Sequence, residues 1–144
     1  HRGNMYDEIL FPTDGSEATT DAAAHAFSHA ERYDATIHVL SVVELSSGLG
    51  TAGRNEEKLE RRRDERTARA EQLLEQHAPE GVDATVAVEV GSPARVITEY
   101  ATAVEADLAV MSTRARGGAE RVIFGSVTEQ IIQAGETPVL AVQR

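Results

Sequence analysis

The sequence predicts an α/β fold with a doubly wound parallel sheet, and three observations carry that expectation. Short apolar runs alternate with longer amphipathic stretches in the order β-α-β-α-β-α-β-α-β. Most of these runs are continuously apolar, as strands covered on both faces are. Turn and cap residues close the runs where helices should begin. Right-handed crossovers then leave the doubly wound sheet as the best topology. The 144 residues suit one domain, taken over 5–144, and no internal repeat is visible.

Ile9-Leu10-Phe11 is a short buried strand ending at Pro12-Thr13-Asp14-Gly15-Ser16, where Ser16 can cap the next helix. That helix carries Ala22, Ala23, Ala26, Phe27 and Ala30 at helical spacing. Ile37–Val43, rich in β-branched residues, is a second buried strand, and residues 46–53 (SSGLGTAG) compose a loop. A charged helix follows over roughly Glu56–His77, its apolar face sharpest at Ala70, Leu73 and Leu74. Val82–Val90 alternates with period two, which marks a half-buried or edge strand. Gly91-Ser92-Pro93 supplies a turn, an N-cap and a first-turn proline for a third helix, with Val96, Ile97, Tyr100 and Ala101 facing inward. Leu108–Met111 is a buried strand. A polar loop is expected over Ser112–Phe124, a helix from about Ser126, and a final strand over Pro138–Val142.

Hydrophobic residues make up 41% of the chain and aromatics 4%, so the core rests on Ala, Val, Ile and Leu. The absence of cysteine excludes disulfides, thiolate metal sites and cysteine nucleophiles. No run approaches the roughly 18 apolar residues of a membrane span, and no leader pattern is seen, so the chain reads as cytoplasmic. His1–Asn4, ahead of Met5, reads as a tag remnant. The 24 acidic and 14 basic residues give a net charge of −10, which repels nucleic acid and anionic membranes; neither is an expected partner. Seven basic residues between Arg54 and Arg69 are interleaved with five acids, the composition of a solvated helix with i,i+4 ion pairs.

Doubly wound sheets bind ligands beyond the carboxyl ends of their strands. Asp14, Glu44, Ser92 and the segment from Ser112 onward are therefore the positions to weigh. Gly125-Ser126-Val127-Thr128-Glu129 is the sharpest local signal, because Ser126 and Glu129 stand three apart as a capping box. It either merely starts a helix or presents free N–H groups to an anion. Arg114, Arg116 and Arg121 gather just before it, where they favour a phosphate chain or pair with surface carboxylates. Asp14 can accept hydrogen bonds from an adenine amine or a ribose hydroxyl, or cap its own turn. His25 and His29 share a helix face without an evident third ligand, so no metal is expected. His38 in a strand and His77 at a helix end look structural. Neither a G-x-S-x-G elbow nor a Walker sequence occurs, and no catalytic residue is assigned.

With these residues in view, the chain resembles the universal stress protein family from Met5 to its end. Residues 9–16, 38–43 and 106–142 carry the likeness, the last of them most specifically. The resemblance implies a five-stranded parallel sheet of order 3-2-1-4-5, of the adenine-nucleotide alpha-hydrolase-like type, and a homodimer paired through the last strand. By likeness, Pro12, Thr13, Asp14 and Val42 line an adenosine pocket with Met111 beneath the base, and Gly125, Ser126, Val127 and Thr128 hold phosphates. ATP-binding members follow the fourth strand with Gly, two residues, Gly, nine residues, then Gly and Ser or Thr. The spacing is intact here, but Ser112 and Ala115 stand where the first two glycines belong, with Arg116 next in the loop.

The leading expectation is a non-enzymatic stress-response dimer that binds ATP, or AMP or ADP in its place, and acts as a regulator or switch on a protein partner. Mg2+ would enter only with the nucleotide. The alternative is a dimeric interaction module without nucleotide, and a third reading is a slow ATP hydrolase.

Overall fold

The computed structural model describes residues 5–15, 19–44, 52–113 and 118–143, with side chains for all of these except 52–55 and 118–125. In chain order its elements are β1 (Glu8–Pro12), α1 (Thr20–Tyr33), β2 (Thr36–Val43), α2 (Ala52–His77), β3 (Ala84–Val90), α3 (Pro93–Ala103), β4 (Leu108–Ser112), α4 (Gly118–Ala134) and β5 (Val139–Val142). The strands form one parallel sheet of order β3-β2-β1-β4-β5, as the resemblance implied.

Alternate residues of the inner strands feed two cores, which is why their sequences are apolar throughout. Ile9, Phe11, Ile37, Val39 and Val110 pack against Ala22, Ala26 and Phe27 of α1 and Ala70 and Leu73 of α2. Leu10, Leu40, Ala109 and Met111 pack on the other face against Val96 and Ile97 of α3 and Val127 and Ile131 of α4. The winding thus reverses between β1 and β4. β3 lies at an edge, as its alternation predicted, with Thr85 and Glu89 exposed. His38 joins three strands, its ring nitrogens 2.9 Å from Thr85 Oγ1 and 2.8 Å from Glu8 Oε1.

The seam between β1 and β4 is unequal along its length. At its base the Asp107 carboxylate accepts the N–H groups of Asp7 (2.8 Å) and Glu8 (3.0 Å). The register then covers only Ile9↔Leu108 and Leu10↔Ala109, although β1 runs on to Pro12 and β4 to Ser112. Thr13 N–H donates to Leu40 O at 2.9 Å, toward β2. Neighbouring amides point to opposite sides of a strand, so the Pro12 nitrogen faces β4 and has no hydrogen to give. The hydrogen-bonded ladder on that side stops there.

Three helix starts differ from expectation, the simplest being α2, which begins at Ala52, within the stretch expected to be a loop and four residues before Glu56. α1 has Thr19 at its N-cap, with no side-chain bond to the first turn; its hydroxyl instead meets Thr13 Oγ1 at 2.8 Å, and Ser16 lies outside the described residues. α4 begins at Gly118, so the loop expected to reach Phe124 is already helical and the Ser126–Glu129 pair sits within the helix. The physical reason is that Ala119, Glu120 and Arg121 are helix formers, no proline intervenes, and the roughly 1 kcal/mol cost of an interior glycine at 125 does not stop propagation. Ser92 does occupy the N-cap of α3, with Pro93 in the first turn and its carbonyl accepting Val96 N–H at 2.9 Å.

Gly15 closes the turn after β1 at φ +78°, and a Cβ there would lie 2.8 Å from Arg69 Cβ of α2. Both the left-handed backbone and the contact oppose a side chain. Gly15→Ala is therefore expected to cost about 1–2 kcal/mol, read as a fall of several degrees in thermal midpoint.

Candidate functional site: the crevice at the strand tips

Beyond the end of the β1–β4 ladder, the chain builds a polar rim from local backbone needs. Thr13 is buried, and its hydroxyl accepts the Gly15 N–H at 2.9 Å while meeting Thr19. A side chain one residue before Asp14 thus closes this turn. Asp14 is half-buried on it. β2 outruns β1: Gly91 N–H takes the Val43 carbonyl on the β3 side at 3.0 Å, and Arg66 Nη1 of α2 donates to the Val42 carbonyl at 2.9 Å and to Ser41 Oγ at 2.8 Å.

A cavity of about 280 Å³ lies between the end of β2 at Glu44, the amino end of α3 at Ser92 and Pro93, and Ser126, Val127 and Gln130 of α4. The α3 terminus brings the positive end of a helix dipole to its wall. Hydroxyls, an amide and one carboxylate suit it to hydrogen-bonding a polar small molecule. Among the described residues, no three His, Asp or Glu side chains converge as metal ligands.

The structure brings part of the expected set together. Val127 and Ser126 line the cavity, Met111 is fully buried in the same core as Val127, and half-buried Val42 packs against that core. Ser112 and Thr128 are buried, and the Thr128 hydroxyl donates to the Ser112 carbonyl at 3.4 Å, tying α4 to β4. Pro12 is buried in β1. Ser126 does not cap: its hydroxyl accepts from Gln130 Nε2 at 3.3 Å, and its N–H falls within the helical ladder rather than facing a ligand. Gly125 is described as helical backbone only, and Ala115, Arg116 and Arg114 lie outside the described residues.

Sequence reasoning missed Arg66 and Gln130. Arg66 was legible: it stands four residues before Ala70 and seven before Leu73, on the helix face that those two bury. Gln130 carried no signal beyond lying one turn after Ser126.

A doubly wound sheet with a cavity at its strand tips has the architecture in which such sheets bind ligands. The chain belongs to the universal stress protein family, whose model matches residues 5–143. It is 36% identical to universal stress protein MJ0531 of Methanocaldococcus jannaschii, over 98% of this chain and 84% of that protein. The solved structure of MJ0577 from the same organism is similar to it with a TM-score of 0.78 at 25% identity, covering 97% of each chain. A universal stress protein solved in complex with cAMP shares the fold, with a TM-score of 0.63 at 23% identity over 96% of this chain and 97% of that one.

The buried Thr13–Thr19 pair gives the rim a direct test. Thr13→Val keeps shape but removes the acceptor of the Gly15 N–H and the contact to the Thr19 hydroxyl. Urea denaturation is expected to show a loss of about 1–3 kcal/mol, with the m-value unchanged.

Proposed function

We propose that this chain binds an adenine nucleotide in the crevice and works as a non-enzymatic, dimeric regulator in the cytoplasm. One observation carries the reading: a cavity offering hydroxyl, amide and carboxylate groups lies beyond the carboxyl end of β2, between Glu44, Ser92 and Ser126, in a sheet whose winding reverses between β1 and β4. The related protein solved with cAMP supports an adenine nucleotide as ligand. In this reading Pro12, Thr13, Asp14 and Val42 hold the adenosine over Met111. Ala115, Arg116 and the exposed Ser126 hydroxyl attend the phosphates, while buried Ser112 and Thr128 brace the wall behind them, with Mg2+ arriving only on the nucleotide. Among the described residues no helix is long and apolar enough to cross a membrane.

Calorimetry tests the site. ATP is expected to bind the parent chain, and Ala115→Gly to bind it about fivefold tighter, equivalent to about 1 kcal/mol from removing a methyl where relatives place glycine. Hydrolysis is expected to stay below about 1 per second. If neither protein responds to millimolar ATP, the interaction-module reading takes its place.

The dimer follows from β5. It is an edge strand paired with β4 alone, nearly uncharged, with Val139 and Leu140 half-buried and Ala141 exposed. Such an edge recruits another strand, and its twin is the closed solution. Light scattering is expected to give a dimer at micromolar concentration, and Val139→Asp to shift it toward monomer.

A further inference from the structure

The backbone at the β2 tip leaves one acceptor that the sheet itself cannot use. Leu40 directs its carbonyl to β1, where Thr13 N–H takes it, and Val43 directs its carbonyl to the β3 side, where Gly91 N–H takes it. By the same alternation the Val42 carbonyl points to the β1 side, beyond the last β1 residue in the ladder. The chain has turned away by then, at Asp14 and Gly15. Arg66 Nη1 fills the place, 2.9 Å from that carbonyl and 2.8 Å from Ser41 Oγ.

Its position is not incidental to α2. Ala70 and Leu73 anchor the helix in the core one and two turns later, and the Arg69 side chain packs on Gly15 across the turn after β1. The two arginines therefore reach the tips of β2 and β1 from the α2 face of the sheet, while Lys58, Arg61, Arg62 and Arg63 lie exposed on the preceding turns. A charge-assisted hydrogen bond is among the stronger of its kind. Even at a carbonyl with two lone pairs, the guanidinium's positive charge opposes a second donor such as an aromatic amine.

We infer that Arg66 is a latch on the base-recognition edge of the crevice: it holds the Val42 carbonyl until the exocyclic amine of an adenine displaces it, so it sets base preference and couples nucleotide binding to the seating of α2. The inference rests on the adenine-nucleotide reading above. Displacement frees the helix at the β2 tip and alters how its exposed basic turns are presented, giving a partner something to read.

Adenosine is the probe, because without phosphates the lost charge of Arg66 does not enter. Its control is purine riboside, the same nucleoside without the amine. Calorimetry on Arg66→Met is expected to show adenosine binding about tenfold tighter than the parent, the gain for an acceptor held about nine-tenths of the time. Ser41→Ala removes one of the Arg66 acceptors at the β2 tip and keeps its charge; it should gain about two- to threefold. Purine riboside should change less than about twofold in either variant. Amide exchange should quicken across residues 63–70 when adenosine is added to the parent, and not in Arg66→Met. Binding by the variants where the parent shows none supports a latch that is held shut. Equal gains for both nucleosides, or unchanged or weaker adenosine binding in both variants, overturn the latch and leave the nucleotide reading standing. No binding by any of the three proteins overturns both.

Discussion

The site depends on a missing hydrogen. Pro12 faces its nitrogen toward β4 and has no N–H to extend that ladder, so the hydrogen-bonded register between the two central strands ends just where the winding of the sheet reverses. Every polar feature of the rim answers that interruption. Thr13 turns its hydroxyl back to hold the Gly15 amide, Gly15 takes a left-handed conformation beneath Arg69, and β2 is left with a carbonyl beyond the end of its neighbour. A proline at the end of a strand is common punctuation. Here its direction in the sheet turns punctuation into the end of a ladder.

The strands were the most legible part of the sequence. Runs such as Ile37–Val43 and Leu108–Met111 are apolar because both faces are covered, and the structure extends them by a single residue each. The start of α4 was not legible, since Ser-x-x-Glu also occurs as an ordinary i,i+3 pair inside a helix, and Gly125 looked like a terminus. This bears on how phosphates would be held: the N–H groups near Ser126 are within a helix, and the described amino end that reaches the cavity belongs to α3.

The charged stretch of α2 misled in a different way. Its balanced composition describes a solvated helix, and most of it is exposed, but composition does not say which charge falls on the buried face. Spacing does. Arg66 shares a face with Ala70 and Leu73, and a long side chain there has a methylene stem to lie along the sheet and a head group seeking acceptors at its end. The acceptors it finds at the β2 tip are a backbone and a hydroxyl oxygen, which no pairing rule for surface charges would have named.

The short seam between β1 and β4 also leaves a fault line through the middle of the sheet. The hydrogen-bonded register joining β3-β2-β1 to β4-β5 is two residue pairs long, whereas β2 and β3 share seven. What spans the break is α1. Its Ala22, Ala23, Ala26 and Ala30 are fully buried in one cluster with Ile9 and Phe11 from one side and Leu108, Val110 and Val142 from the other. Side chains that small let the helix lie close over the gap, as a splint lies over a fracture. The cohesion of the two halves is thus a matter of packing more than of hydrogen bonding, and the alanine-rich face of α1 is where the molecule resists being split.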